Sequence, residues 1–508
     1  MSVTGEQAID EPTLRVRRLG LLTQHEPLVL MHVDCPVARS EGFTARAEVE
    51  LFAEGRSALA TLYQVRDGIV GPHEIGLSEV VWKRLGVADG AAATIRHPQP
   101  LDSMSAVRAK LYGHKLDAGR IGAIIRDIAR ERYSDVELAA FIAAFSAQPA
   151  DLDEMVALTK AMVEVGDRLS WPGTMIVDKH SVGGLPANRT TPLIVAIVAA
   201  AGLVIPKTSS RAITSPAGTA DAMETMAPVD LDVPAMRRVV EQEGGCIVWG
   251  GSVSLSPADD ILIRVERALD LDSPAQLVAS VLSKKLAAGS THVLLDVPVG
   301  PTAKVRTEAD AVELSGHLES VGRAIGLTVR AVRTDGHQPV GRGIGPALEA
   351  HDVLAVLRGD ATGPADLRAR ACLLAGELLE LGGAVPKGRG GGVAGDILGD
   401  GRALAKFMAI CEAQGGFREP PAAPLRHDLT ARSAGTVAGI DNRQLARIAK
   451  LAGAPSARSA GVEMHVKLGQ KVDKGDPLIT LHSEARGELD YALAFARANP
   501  HAIELRAA

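Results

Sequence analysis

From residue 174 onward the chain alternates short apolar runs with helical stretches, and nothing else in the sequence constrains its fold as tightly. TMIV (174–177), LVI (203–205), CIVW (246–249), HVLLDV (292–297) and LTVRAV (327–332) read as strands. PLIVAIVAAA (192–201) is apolar all round and too long for a typical strand, so it reads as a buried helix stopped by Gly202. Further helices are expected over 234–243, 274–288, 364–381 and 401–414. Strands and helices in alternation imply a mostly parallel sheet with helices on both faces.

The rest of the chain has a different texture. Residues 1–100 read as a β-rich domain, with strands such as LVLMHV (28–33) and ARAEVELF (45–52). A small helical domain follows over 101–170, completed by helices near 265–290. There Ile121, Ile124, Ile125 and Ile128 form one apolar helix face, and Ser134 with Glu137 makes a capping box before Leu138, Phe141, Ile142 and Phe145. The α/β domain spans 171–423, and short strands separated by Gly and Lys-Gly-Asp turns make 424–508 a small α+β domain. The expected fold class is therefore α/β: a small all-helical domain plus a large, mostly parallel α/β domain, with a β-rich domain before them and a small α+β domain after.

Composition excludes several functions. With 55 Lys+Arg against 61 Asp+Glu the net charge is −6, without the basic stripe of a nucleic-acid binder. No run of ~18 apolar residues is present, so no membrane span is expected. The acidic, polar start MSVTGEQAIDEPTL is not a signal peptide, and Cys35, Cys246, Cys372 and Cys411 lie far apart. They read as reduced thiols of a cytoplasmic protein, not as a disulfide or zinc framework. Aromatic residues are only 3%, so stacking platforms for bases are scarce. Glycine, at 52 of 508 residues, exceeds the usual share of about 7%, and its placement is informative.

Two loops carry the chemistry. In TMIVDKHSVGGLPANRTTPLIV a strand ends, Gly183 and Gly184 follow, and the buried helix begins. Ligands of open α/β sheets bind beyond the carboxyl ends of strands. Glycines let backbone approach an anion, and the helix start offers free N–H groups and partial positive charge. Lys179 adds a full charge, and Ser181, Thr190 and Thr191 add hydroxyls. An ordinary strand-to-helix turn with an N-cap Thr and a structural His180 is the plain alternative. The second loop, IPKTSSRAITSPAGTADAMETM, follows the next strand and is dense in hydroxyls, with Arg211 in its middle and a helix from about Gly218. Two such loops at successive strand ends converge on one crevice. In SPAQLVASVLSKKLAAG, Ser280 and Lys284 share a helix face, Lys285 lies a quarter-turn away, and Asp272 or Ser273 caps the helix. A solvated lysine pair is the plain reading there.

Other signals fail. Gly390, Gly392 and Gly395 fit GxGxxG, but VPKGRG before them is no strand, so 388–395 is expected to be a flexible connection. KLGQKVDKGDPLITL (467–481) resembles a biotinyl or lipoyl carrier hairpin, but the turn between its strands has no lysine in a modification context. No metal-ligand cluster, HExxH or GxSxG is present.

DKHSVGG, KTSSRAITSPAGTADAMETM, SPADDILIRVE and ASVLSKKLAAG, in that order, resemble the thymidine phosphorylase family of pyrimidine nucleoside phosphorylases. SRAITS and the extra N-terminal domain are most similar to its AMP phosphorylase branch. The resemblance implies phosphorolysis of a nucleoside or nucleoside 5′-monophosphate, with inorganic phosphate as co-substrate and no cofactor or metal. It implies that Lys179, Ser181, Gly183, Gly184, Thr191, Ser209 and Thr219 hold phosphate. It places Ser210, Arg211, Ala212, Ile213, Thr214, Ser215, Ser280 and Lys304 at the substrate, and Asp272, His180 and Lys284 at the chemistry, with Asp272 as proton donor. A homodimer or larger homo-oligomer is implied, with no nucleic-acid or membrane partner. Two departures weigh against thymidine itself: the family's GRGLGHTGGT reads SRAITSPAGT here, and its pyrimidine-binding arginine falls at Glu266 or its neighbours Arg264 and Arg267. The competing readings are an anthranilate-type phosphoribosyltransferase and a non-catalytic nucleotide-binding protein.

Overall fold

The computed structural model describes residues 13–66, 68–212, 215–269, 271 and 273–507, without the side chain of Arg267. The chain forms two compact units, one made of the residues up to Ser105 with Arg130–Ser134, the other of Ala106–Ala129 with Asp135–Ala508.

The first unit is a closed six-stranded barrel. Its strands run in the order Leu14–Arg18, Glu74–Leu77, Leu28–His32, Arg56–Val65, Glu48–Ala53, Ala92–Arg96. Closure leaves no free edge, which short strands with alternating burial need in water. The alternation is visible in Glu48–Ala53, where Val49, Leu51 and Ala53 point into a core shared with Val29, Met31, Leu62 and Ile75.

In the second unit, helices Ala118–Ala129, Asp135–Ala147 and Leu152–Glu164 pack with Pro257–Leu269 and Pro274–Ala287. The four isoleucines of the first are all fully buried. Asp151 with Glu154 forms a capping box at the start of Leu152–Glu164. Beside the bundle lies a parallel sheet in the order Thr328–Asp335, His292–Val299, Val177–Ser181, Ile205–Ser209, Gly245–Trp249. A bridge between Ile176 and Val204 joins its two halves. Helix Thr191–Ala200 is buried from Leu193 to Ala199, and Ala365–Leu381 and Arg402–Gln414 cover it.

Two strands differ from their expected limits in the same way. The apolar runs TMIV and LVI stop at 177 and 205, yet the strands run through Asp178-Lys179-His180-Ser181 and Pro206-Lys207-Thr208-Ser209. Their polar ends read as loop, but they lie at the carboxyl end of a central parallel strand, buried on both faces. The expectation for 388–395 is corrected outright: Gly390–Gly399 is a helix. Its first glycine, Gly390, serves a close helix contact. A Cβ on Gly390 would lie 2.1 Å from the Gly376 carbonyl oxygen of the neighbouring helix, so only glycine permits that approach.

The C-terminal part carries a four-stranded antiparallel sheet in the order Gly343–Ile344, Gly461–Met464, Pro477–Ser483, Leu425–Thr430. A three-stranded sheet and the helices Asn442–Leu451 and Arg486–Ala498 complete it. Its first strand comes from within 171–423, so sheet pairing crosses the boundary expected at 423. Among the described residues, no helix is long and apolar enough to cross a membrane.

Candidate functional site

The carboxyl ends of Val177–Ser181 and Ile205–Ser209 bring three lysines together. Lys179 is 2% exposed, Lys207 4% and Lys285 2%, the last reaching in from helix Pro274–Ala287. Lys285 Nζ donates to Asp178 Oδ2 at 2.6 Å, and Lys207 Nζ stands 3.6 Å from Asp178 Oδ1. Lys179 Nζ donates to Thr190 Oγ1 at 2.9 Å and lies 3.8 Å from Asp296 Oδ2. Three buried lysines thus face two buried carboxylates, and with all three protonated the balance is positive. The surplus positive charge, under the N-terminus of helix Thr191–Ala200, suits an oxyanion.

Burial alters the charge of each group. Burial lowers Lys179 to about 8, with Asp296 pulling the other way. Burial likewise brings Lys207 down to about 7, against the attraction of Asp178. Asp178 is pushed up by burial, but Lys207 and Lys285 outweigh it and hold it below its usual range. His180 is driven well below its ordinary value by burial and then by Lys285, Lys207, Lys179 and Lys284. Its imidazole is therefore neutral near pH 7, a hydrogen-bonding group without charge. Lys284 loses some basicity to burial and regains more from Asp259, 2.5 Å away, and Asp260, so it remains a cation.

Two hydroxyls add to the case for an anion here. Ser181 Oγ and Ser209 Oγ are buried without a hydrogen-bond partner among the described residues. A buried hydroxyl left unpaired costs on the order of 1–3 kcal/mol, and a bound ligand removes that cost. Beside them Gly183 has φ +88° with open space where a Cβ would stand. Gly184, at φ +80°, has the backbone nitrogen of Lys304 2.2 Å from the same point. The first position leaves room for a ligand, and the second needs the closest possible approach of backbone.

Three segments of the chain match known families. Residues 104–166 match "Glycosyl transferase family, helical bundle domain", 173–404 match "Glycosyl transferase family, a/b domain", and 436–502 match "Pyrimidine nucleoside phosphorylase C-terminal domain". A protein of Acidovorax sp. (strain JS42) named "Putative thymidine phosphorylase 1" is 61% identical over 98% of both chains. A "Putative thymidine phosphorylase" of Sphingopyxis alaskensis is 59% identical over 97% of this chain and 96% of its own. The chain belongs to the thymidine phosphorylase family. The anthranilate phosphoribosyltransferase of Thermus thermophilus shares the fold, with a TM-score of 0.51 at 20% identity over 61% of this chain and 99% of its own.

Of the positions that the thymidine phosphorylase pattern marks, the structure gathers Lys179, His180, Ser181, Gly183, Gly184, Thr191 and Ser209 around the two strand ends. Thr219 opens helix Thr219–Glu224 and accepts a hydrogen bond from Arg189 at 2.5 Å. Ser280 and Lys284 share one face of Pro274–Ala287, which Ser273 caps. Arg211 is engaged otherwise: it donates to Glu224 at 2.8 and 3.0 Å and lies over the Trp249 ring at 4.9 Å. Ala212 N donates to Asp221 at 2.6 Å, Ser215 Oγ donates to the Ala217 carbonyl at 3.0 Å, and Ser210 is exposed. Ile213, Thr214 and Asp272 lie outside the described residues.

Sequence reasoning missed Lys207, Lys285, Asp178 and Arg189. The bridge at Ile176 and Val204 holds the clue, since three residues beyond it each strand carries a lysine, Lys179 and Lys207. Lys285 read as solvated because no sequence rule pairs it with an aspartate 107 residues away. Arg189 donates to Glu349 at 2.7 Å, and burial lifts that carboxyl to about 7 despite Arg189.

Proposed function

We propose that this protein is a phosphorylase that converts a nucleoside or nucleoside 5′-monophosphate and inorganic phosphate to free base and (deoxy)ribose 1-phosphate, or ribose 1,5-bisphosphate from the 5′-monophosphate. The observation that carries the reading is the cluster of buried lysines beside the Ser181 and Ser209 hydroxyls, which have no hydrogen-bond partner among the described residues. The family resemblance at these positions supports it, and so does the identity to relatives named as thymidine phosphorylases.

Phosphate is itself the nucleophile, so the protein's task is to hold it and to stabilise the departing base. Lys179, Ser181, Gly183, Gly184, Thr191, Ser209 and Thr219 hold the phosphate, joined by Lys207 and Lys285. A phosphate oxygen bonds to C1′, the bond from C1′ to the base nitrogen breaks, and its electron pair leaves with the base. Lys284, kept protonated by Asp259, neutralises that charge. Neutral His180 orients the base by hydrogen bonding. For a purine, protonation of a ring nitrogen by Asp272 serves the same end. Ser280, Lys304 and the Ser210–Ser215 stretch contact the substrate, and a 5′-phosphate would sit against that stretch once Arg211 exchanges Glu224 for it. No cofactor or metal is required by this scheme.

Release of base is measured with and without phosphate across AMP, CMP, UMP, thymidine and uridine. Phosphate-dependent release from at least one, abolished in Lys179→Ala, is the expected outcome. Binding without turnover in all five would instead favour a nucleotide-binding protein.

A further inference from the structure

The loop that holds Lys179 in place is not self-supporting. Ala187 and Asn188 both adopt the left-handed region, at φ +60° and +55°, which costs a residue with a Cβ about 1 kcal/mol or more. These two residues must be held by their surroundings, because Thr190 follows closely. Thr190 N donates to the Asn188 carbonyl at 2.8 Å, and Thr190 Oγ1 receives the Lys179 ammonium.

The support comes from the segment Pro339–Gly341. Ala187 forms a parallel bridge with Val340, and Asn188 N donates to the Val340 carbonyl at 3.0 Å. That segment is in turn fixed by the C-terminal part of the chain. Lys467 Nζ donates to the carbonyls on either side of Val340, Pro339 at 2.9 Å and Gly341 at 2.7 Å. It also donates to Asp366 Oδ2 at 2.7 Å, and the next backbone amide, Leu468 N, donates to Gln338 Oε1 at 2.8 Å. Ala187 itself is buried in the C-terminal hydrophobic core with Ile344 and Val462. An ammonium has three donors, and here all three are engaged at hydrogen-bond distance across a domain boundary.

We propose that Lys467 is a positioning residue for the anion site: by clamping the carbonyls flanking Val340 it holds the backbone against which Ala187–Thr190 takes its left-handed course, and thereby sets Lys179. The inference rests on the phosphorylase reading for its kinetic consequence, but its binding consequence stands apart from any substrate.

The test compares full-length wild type, Lys467→Met and Lys467→Arg. The methionine keeps most of the side chain's apolar length and loses every donor, whereas the arginine keeps several N–H donors and the positive charge. Lys467→Met should raise the KM for phosphate about tenfold, as expected for charge-assisted hydrogen bonds, and leave the nucleoside KM within about twofold. The rise in Tm produced by inorganic phosphate should shrink in parallel, and Lys467→Arg should recover most of both. Should Lys467→Met fail to fold, Lys467→Leu, which also lacks every donor, takes its place under the same criteria. A folded variant with wild-type phosphate KM and wild-type phosphate-induced Tm shift would overturn the proposal, as would equal rises in the phosphate and nucleoside KM. Phosphate raising the wild-type Tm without any turnover would count against the phosphorylase reading alone, and the Tm comparison would still decide the role of Lys467.

Discussion

Lys179 and Lys207 give the site a pH dependence whose sign follows from their burial. Both are depressed, to about 8 and about 7, so both lose protons as pH rises through the range in which an ordinary lysine stays charged. An oxyanion needs the charged forms, so its affinity is fullest at low pH and is lost as pH rises. Phosphate titrates in the same range, so sulfate, a dianion throughout, is the cleaner probe. The inhibition constant of sulfate against phosphate should be lowest near pH 6.5. It should weaken by up to about tenfold per unit between pH 7 and 8, where Lys207 loses its proton, and by up to about a hundredfold per unit above pH 8, where Lys179 does so too. A flat profile to pH 9.5 would show that these lysines do not bind the anion. Asp178→Asn removes the carboxylate that holds Lys285 and Lys207 and should cut kcat/KM for phosphate by at least about tenfold, since it leaves buried charges uncompensated.

Helix Gly390–Gly399 shows what sequence reading reaches at the element level and where it stops. Its glycines mimic a phosphate-binding fingerprint and discourage a helix, yet tertiary contact with Ala365–Leu381 decides the outcome. Gly390→Ala should destabilise this domain by about 1–3 kcal/mol, because the added carbon meets the Gly376 carbonyl oxygen at 2.1 Å. Gly391→Ala and Gly392→Ala have nothing within 4 Å and should be neutral or stabilising by up to about 1 kcal/mol. Urea-induced unfolding followed by amide exchange in the helix separates the two cases. The buried helix of the α/β domain and the apolar face of the helical bundle were legible, as Leu193–Ala199 and the four bundle isoleucines show, whereas helices Glu308–Ala324 and Pro346–Arg358 were not foreseen. The strand ends were not, because Asp178, Lys179 and Lys207 are polar residues whose partners come from distant helices and strands. The anion-binding character of the two loops was legible in their lysine, hydroxyls and paired glycines. The neutral state of His180 was not, since it depends on four lysines drawn from three elements.

Across the whole molecule, the carboxyl ends of the central strands concentrate positive charge, and the C-terminal part braces the loop beside them through Lys467. Gly184 lies in the loop that follows Val177–Ser181, where a Cβ would meet the backbone nitrogen of Lys304 at 2.2 Å. Gly184→Ala combines a left-handed φ with a contact of 2.2 Å, and loss of most phosphorolytic activity in a folded protein is expected. The central claim is that phosphate, not water, receives the sugar. It is tested most directly by supplying isotopically labelled inorganic phosphate with an accepted nucleoside or nucleotide and following both products. The prediction is one equivalent of free base for each phosphate consumed, with the label recovered in the sugar 1-phosphate. Base released at the same rate without phosphate, or label remaining wholly in inorganic phosphate while base accumulates, would contradict it.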